Sequence, residues 1–177
     1  EQGMVAELLQ QVPGSAGDCH DLPSGTVHAL GAGITLAEIQ TASDTTFRLY
    51  DWSDLYPHRP QRDLHVEQAL ECASFEPVLP AARLPEGERR GRLIRNRFYD
   101  LWEMRLKEGD SAGHPEPENG CHVLMVLEGE LASGCDRFPA GSTILVPEAS
   151  RGSVRCETEA RVLAIGFTRE SSPGPAQ

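Results

Sequence analysis

Gly17-Asp18-Cys19-His20-Asp21-Leu22-Pro23-Ser24-Gly25-Thr26-Val27-His28 has the spacing G-x5-P-x-G-x2-H, in which a glycine-terminated turn feeds a strand-like run that ends in a histidine. Glycine and proline mark turns for a physical reason: glycine enters left-handed backbone freely and proline fixes φ. Short runs follow at Val27–Leu30, Ile34–Gln40 and Thr45–Tyr50, separated by Gly31-Ala32-Gly33 and Ala42-Ser43-Asp44. Their length and punctuation predict strands rather than helices. Residues 1–16 contain no histidine.

Composition bounds the rest. The chain has 177 residues, enough for one domain or a little more with a hydrophobic core. Its net charge of -11 argues against nucleic acid or an anionic membrane as the main partner, since both attract basic surfaces. No apolar run approaches the roughly 18 residues that suggest a membrane span, and the start lacks the charged and apolar regions of a signal peptide, so the expected location is the cytoplasm. Cys19, Cys72, Cys121, Cys135 and Cys156 are widely spaced, form no C-x-x-C pair and read as reduced thiols.

Further along, Leu64–Ala73 places Val66, Ala69, Leu70 and Ala73 at helical spacing, which predicts a short amphipathic helix with Asp63 as its N-cap. Glu76–Arg90 carries Pro77, Pro80 and Pro85 among charged residues and reads as a linker. From Phe98 the β pattern returns, with predicted strands at Phe98–Leu106, Cys121–Glu128, Ser142–Val146, Val154–Cys156 and Arg161–Phe167, and turns at Gly129-Glu130 and Pro139-Ala140-Gly141. Many short strands at this spacing point to a small barrel or jelly roll.

The opening stretch has the spacing of the second cupin motif, whose histidine is a metal ligand. The longer run Leu22–Trp52 resembles the type I mannose-6-phosphate isomerases, which carry P-[AS]-G-T-x-H-A followed by E-I-Q-x-x-S-D-T-T-[YF]-R-x-Y-D-W. Here these read Pro23-Ser24-Gly25-Thr26-Val27-His28-Ala29 and Glu38-Ile39-Gln40-Thr41-Ala42-Ser43-Asp44-Thr45-Thr46-Phe47-Arg48-Leu49-Tyr50-Asp51-Trp52. Arg62-Asp63-Leu64-His65-Val66-Glu67-Gln68-Ala69-Leu70 looks like the helix that follows in the family.

The resemblance implies an all-β cupin fold, jelly roll or β-barrel: the C-terminal strands of a first, metal-binding barrel over 1–60, a short helix and linker over 61–95, a second cupin-like barrel over 96–168, and a disordered tail over 169–177. It implies interconversion of mannose 6-phosphate and fructose 6-phosphate with zinc as cofactor and a phosphosugar as partner, in a possible homo-oligomer. His28 would be the zinc ligand, Arg48 the active-site arginine and Asp44 part of the segment holding a catalytic carboxylate. The chemistry needs such a set: a Lewis acid to polarise the carbonyl, a base to move a proton between adjacent carbons, and a cation for the enediolate or the phosphate. The family's other three ligands, a Gln, a His and a Glu, would precede Glu1, so the chain is expected to represent a C-terminal portion lacking part of the site.

Each residue also has a plainer reading. Asp44 sits in a Ser-Asp-Thr turn where Asp serves backbone hydrogen bonding equally well. Arg48 alternates with Phe47 and Leu49, on the strand face shared with Thr46 and Tyr50. Glu38 and Gln40 could line a pocket or face solvent, and His20, His58 and His65 have no partner at ligand spacing. In the second barrel His114 and Glu116 are two apart, but Ser150–Gly152 stand where a ligand histidine would fall, so that barrel reads as having no metal site. The rival to the isomerase is a non-catalytic cupin module that binds a sugar phosphate or mediates assembly.

Overall fold

The computed structural model describes residues 5–53, 55–77, 79–116 and 120–168. The chain divides into two units between Ala81 and Ala82. The expected tail over 169–177 lies outside the described residues.

The C-terminal unit is the all-β jelly roll that the strand pattern predicts. Its strands are β1 (Arg90–Arg95), β2 (Tyr99–Leu106), β3 (His122–Glu128), β4 (Glu130–Ser133), β5 (Asp136–Pro139), β6 (Thr143–Val146), β7 (Arg155–Cys156) and β8 (Ala160–Phe167). One antiparallel sheet runs β1-β2-β8-β3-β6 and the other β5-β4-β7. They remain two sheets and do not close into a barrel. Between them Met104, Leu124, Val126, Leu131, Val146 and Val162 form a core in which burial, not hydrogen bonding, supplies most of the driving force.

Alternation decides which side chains enter that core. Along β3, His122, Leu124 and Val126 are buried while the residues between them are half-exposed. β2 sends Met104 and Leu106 into the core, while Glu103 on its other face is buried as well. A buried carboxylate requires a partner. Arg161 supplies it, with Nε 2.9 Å from Glu103 Oε1 and Nη1 donating to Glu128 at 3.0 Å. Gly129 turns β3 into β4 with φ of 78°, where a Cβ would lie 2.2 Å from the Glu159 carbonyl oxygen.

Two features depart from the sequence reading. β1 lies inside the stretch read as linker: its arginines hide the alternation, and Ile94 is its one buried apolar side chain. In the N-terminal unit, the runs Val27–Leu30, Ile34–Gln40 and Thr45–Tyr50 form no strand, and Thr26 makes an isolated parallel bridge to Ser74. A strand exists only as part of a repeating ladder with a neighbour, and the bonds described for these runs, such as the pair between Arg48 and His65, form no such ladder. Several of their apolar side chains stay largely in water: Leu30 is 65% exposed and Ile34 54%. The expected helix forms as α2 (Val66–Cys72), after a single turn α1 (Val5–Leu8), but its N-cap is His65 rather than Asp63.

Candidate functional site

In the N-terminal unit, the turn before His28 is built on Gly25. Its φ is 91°, and a Cβ there would meet the Cys72 carbonyl oxygen at 2.4 Å, so only glycine lets this backbone approach the end of α2. Ser74 N–H donates to the Gly25 carbonyl at 2.9 Å, and Thr26 N–H closes the turn on Pro23 at 3.0 Å. Two residues on, the exposed His28 ring sets Nδ1 2.8 Å from the Thr26 carbonyl. A carbonyl only accepts, so Nδ1 carries the hydrogen and Nε2 keeps its lone pair. That tautomer suits a metal ligand, whose second nitrogen commonly donates to a carbonyl. A catalytic zinc takes about three protein ligands. Among the described residues no group of three His, Cys, Asp or Glu is placed to hold a metal, so these residues fit one coordination position and not a zinc site.

Arg48 is half-buried and held at several points. Its N–H donates to His65 Nδ1 at 3.3 Å, its carbonyl accepts from His65 N–H at 2.8 Å, and its Nη1 donates to the Asp63 carbonyl at 3.0 Å. Its Nε lies 3.8 Å from Asp51, whose carboxylate also bonds Arg62. The hydrogen bond from Arg62, with the charge of Arg62 and then Arg48 behind it, holds the Asp51 carboxyl below the usual carboxylate range. Arg48 is therefore positioned by the approach to α2, not by a sheet face. Asp44 is exposed, and the turn beside it closes on Ser43, whose N–H donates to Thr41 and whose Oγ accepts from Thr45 N–H. Glu38 and Gln40 are exposed.

The C-terminal unit contains a polar cluster that the sequence reading did not assemble. Asp100, Gly166 and His122 pair across β2, β8 and β3 in one row. His114 packs over that row with Nε2 3.0 Å from Asp100 Oδ1, obliquely enough that the contact is electrostatic rather than a formed hydrogen bond. Trp102 Nε1–H donates to Asp100 Oδ2 at 3.1 Å, and Glu116 N–H donates to His114 Nδ1 at 3.1 Å. His114 thus accepts at Nδ1 and turns Nε2–H toward the carboxylate. Burial pushes His114 down from the ordinary histidine value, with Asp100 opposing; burial, then His114 and Arg151, push His122 down. Both ring nitrogens of His122 are buried without a hydrogen-bond partner among the described residues. The signal for His122 was its place in the period-2 register with Leu124 and Val126. Nothing local tied it to Asp100, 22 residues earlier in the chain.

No family model matches the chain. The mannose-6-phosphate isomerase of Streptococcus mutans is 45% identical over 145 residues, covering 79% of this chain and 46% of that protein. This chain is a relative of the mannose-6-phosphate isomerases. ManA, the mannose-6-phosphate isomerase of Bacillus subtilis, is 32% identical over 156 residues, covering 83% of this chain and 48% of its own length. The chain spans about half the length of the curated relatives it matches. The crystal structure of the mannose 6-phosphate isomerase from Bacillus subtilis superposes with a TM-score of 0.50 and 16% identity, over 70% of this chain and 40% of that one, a likeness of fold. These relatives are named for an aldose–ketose isomerisation. No helix among the described residues is long and apolar enough to cross a membrane.

Proposed function

We propose that this chain forms part of an aldose–ketose isomerase that interconverts mannose 6-phosphate and fructose 6-phosphate through an enediol(ate). The carrying observation is the 45% identity over 145 residues to a mannose-6-phosphate isomerase. A match covering 79% of the chain cannot omit the stretch in which Asp44 and Arg48 lie.

The reaction breaks the C2–H bond of the aldose, forms a C1–H bond in the ketose and moves the hydroxyl proton from O2 to O1. Its charge develops on the two oxygens, so it needs a fixed cation and a group that carries the carbon-bound proton. Arg48 is the proposed cation. A guanidinium has five N–H donors in a planar fork, and the anchoring at Asp63 and Asp51 leaves donors for a phosphate or an enediolate. Asp44 is the proposed proton carrier, its carboxylate exposed and open to substrate. Zinc is the proposed cofactor, a Lewis acid that would polarise the carbonyl, with His28 as one ligand through Nε2; at least two more protein ligands would have to join it.

The incomplete ligand set favours one second reading, a cupin module that binds a sugar phosphate without turnover. A coupled assay for conversion of mannose 6-phosphate to fructose 6-phosphate by this chain with added zinc, alongside a measurement of bound zinc, separates the two. Turnover that disappears in Arg48→Ala supports the isomerase. Undiminished turnover in that variant removes Arg48 from the site, and phosphosugar binding without zinc or turnover supports the module.

A further inference from the structure

His65 occupies an N-cap position where Ser, Thr, Asp or Asn is usual, because their side-chain oxygens accept an N–H from the first turn of the helix. The His65 side chain makes no such bond to α2. Its ring turns instead to Arg48, accepting the Arg48 N–H at Nδ1, while the His65 main-chain N–H donates to the Arg48 carbonyl. The two bonds close a ring around one residue, fixing both of its main-chain polar groups. The neighbours complete the hold: the Asp63 carbonyl takes Arg48 Nη1, and Arg62 bonds the same Asp51 carboxylate that faces Arg48 Nε. Among the described residues, the anchors of Arg48 thus come from Arg62–His65 or from a carboxylate that Arg62 engages.

We infer that His65 is a positioning residue, which clamps the main chain of Arg48 through its Nδ1 lone pair and its own amide so that the guanidinium meets a phosphosugar in one fixed orientation. This rests on the proposed role of Arg48 as the contact to the phosphosugar. The clamp requires the tautomer with hydrogen on Nε2, since a protonated Nδ1 has no lone pair to offer. It also accounts for the forgone helix cap, because one imidazole cannot both cap α2 and hold the Arg48 amide.

Two substitutions separate clamping from capping. Serine at 65 is a strong N-cap but too short to reach Arg48, whereas the Oδ1 of asparagine falls near the position of Nδ1. The readouts are hydrogen exchange at the Arg48 amide and affinity for mannose 6-phosphate, followed by amide shift titration of the whole chain. His65→Ser is expected to keep the helical signal, speed Arg48 exchange about tenfold and weaken binding by a similar factor, the loss of about one hydrogen bond. His65→Asn is expected to restore both to within about twofold of the native chain. Unchanged Arg48 exchange in His65→Ser overturns the clamp, as does loss of binding in His65→Asn equal to that in His65→Ser. If Arg48→Ala binds mannose 6-phosphate as well as the native chain, or the native chain does not bind it, the role of Arg48 in the site falls instead, and the exchange measurement alone decides whether His65 holds it.

Discussion

Gly166 shows how one missing methyl group arranges a cluster. It sits in the row Asp100–Gly166–His122, and a Cβ at that position would lie 2.6 Å from His114 Nε2 and 2.7 Å from Asp100 Oδ1. The His114 ring occupies that space and has no water to retreat into, its side chain being fully buried. Gly166→Ala therefore forces His114 off Asp100 and is expected to destabilise the C-terminal unit by about 1–3 kcal/mol, as overpacking of an interior does. Urea denaturation of the variant beside the native chain measures it; equal midpoints would show that the ring moves aside at no cost. This glycine was not legible in the sequence as anything but a strand residue, because its reason lies on His114, 52 positions away. Gly25 is the opposite case: its place in the G-x5-P-x-G-x2-H spacing marked it, and its contact with Cys72 explains why glycine is required.

At the scale of elements, β3 and β6 lie side by side yet contribute unequally to stability. Leu124 on β3 is fully buried between the two sheets, whereas Leu145 on β6 is 63% exposed. Leu124→Ala removes packed atoms and leaves a cavity, with an expected cost of about 2–5 kcal/mol. Leu145→Ala removes a side chain already in water and is expected to change stability by less than about 0.5 kcal/mol. Thermal and urea unfolding of the two variants tests the contrast, and a similar loss at both positions would refute the assignment of inner and outer faces. The strands that sequence pattern located, β2, β3, β6, β7 and β8, carry apolar residues in short runs. β1 escaped because it is arginine-rich, and β4 and β5 because they begin or end on Glu130 and Pro139, which the pattern reads as turns; pairing with neighbours, not composition, makes all three strands.

Over the whole molecule, the charge state of the histidine pair sets the response to acid. His114 and His122 both hold protons less readily in the fold than in the unfolded chain. Below about pH 6.5 the unfolded chain therefore binds more protons, so stability present above that value is lost as pH falls, at up to about 1.4 kcal/mol per pH unit for each histidine. Asp100 beside His114 moderates its share. Denaturant titrations at pH 7.5 and 5.0 should show this loss, and His122→Leu, which removes two unpartnered buried nitrogens, should flatten it; the same slope in the variant would remove His122 from the account. What the sequence by itself determined is what local pattern can carry: the all-β character of the C-terminal unit from short punctuated runs, α2 from helical spacing, and the family from the run Pro23–Trp52. Tertiary structure alone decided which of those runs become strands, since a strand needs a repeating ladder and the N-terminal runs form none among the described residues. It also brought Asp100, His114 and His122 together and set His65 against Arg48, because contacts between residues far apart in the chain are made by sheet register and turn geometry, and no single stretch contains them.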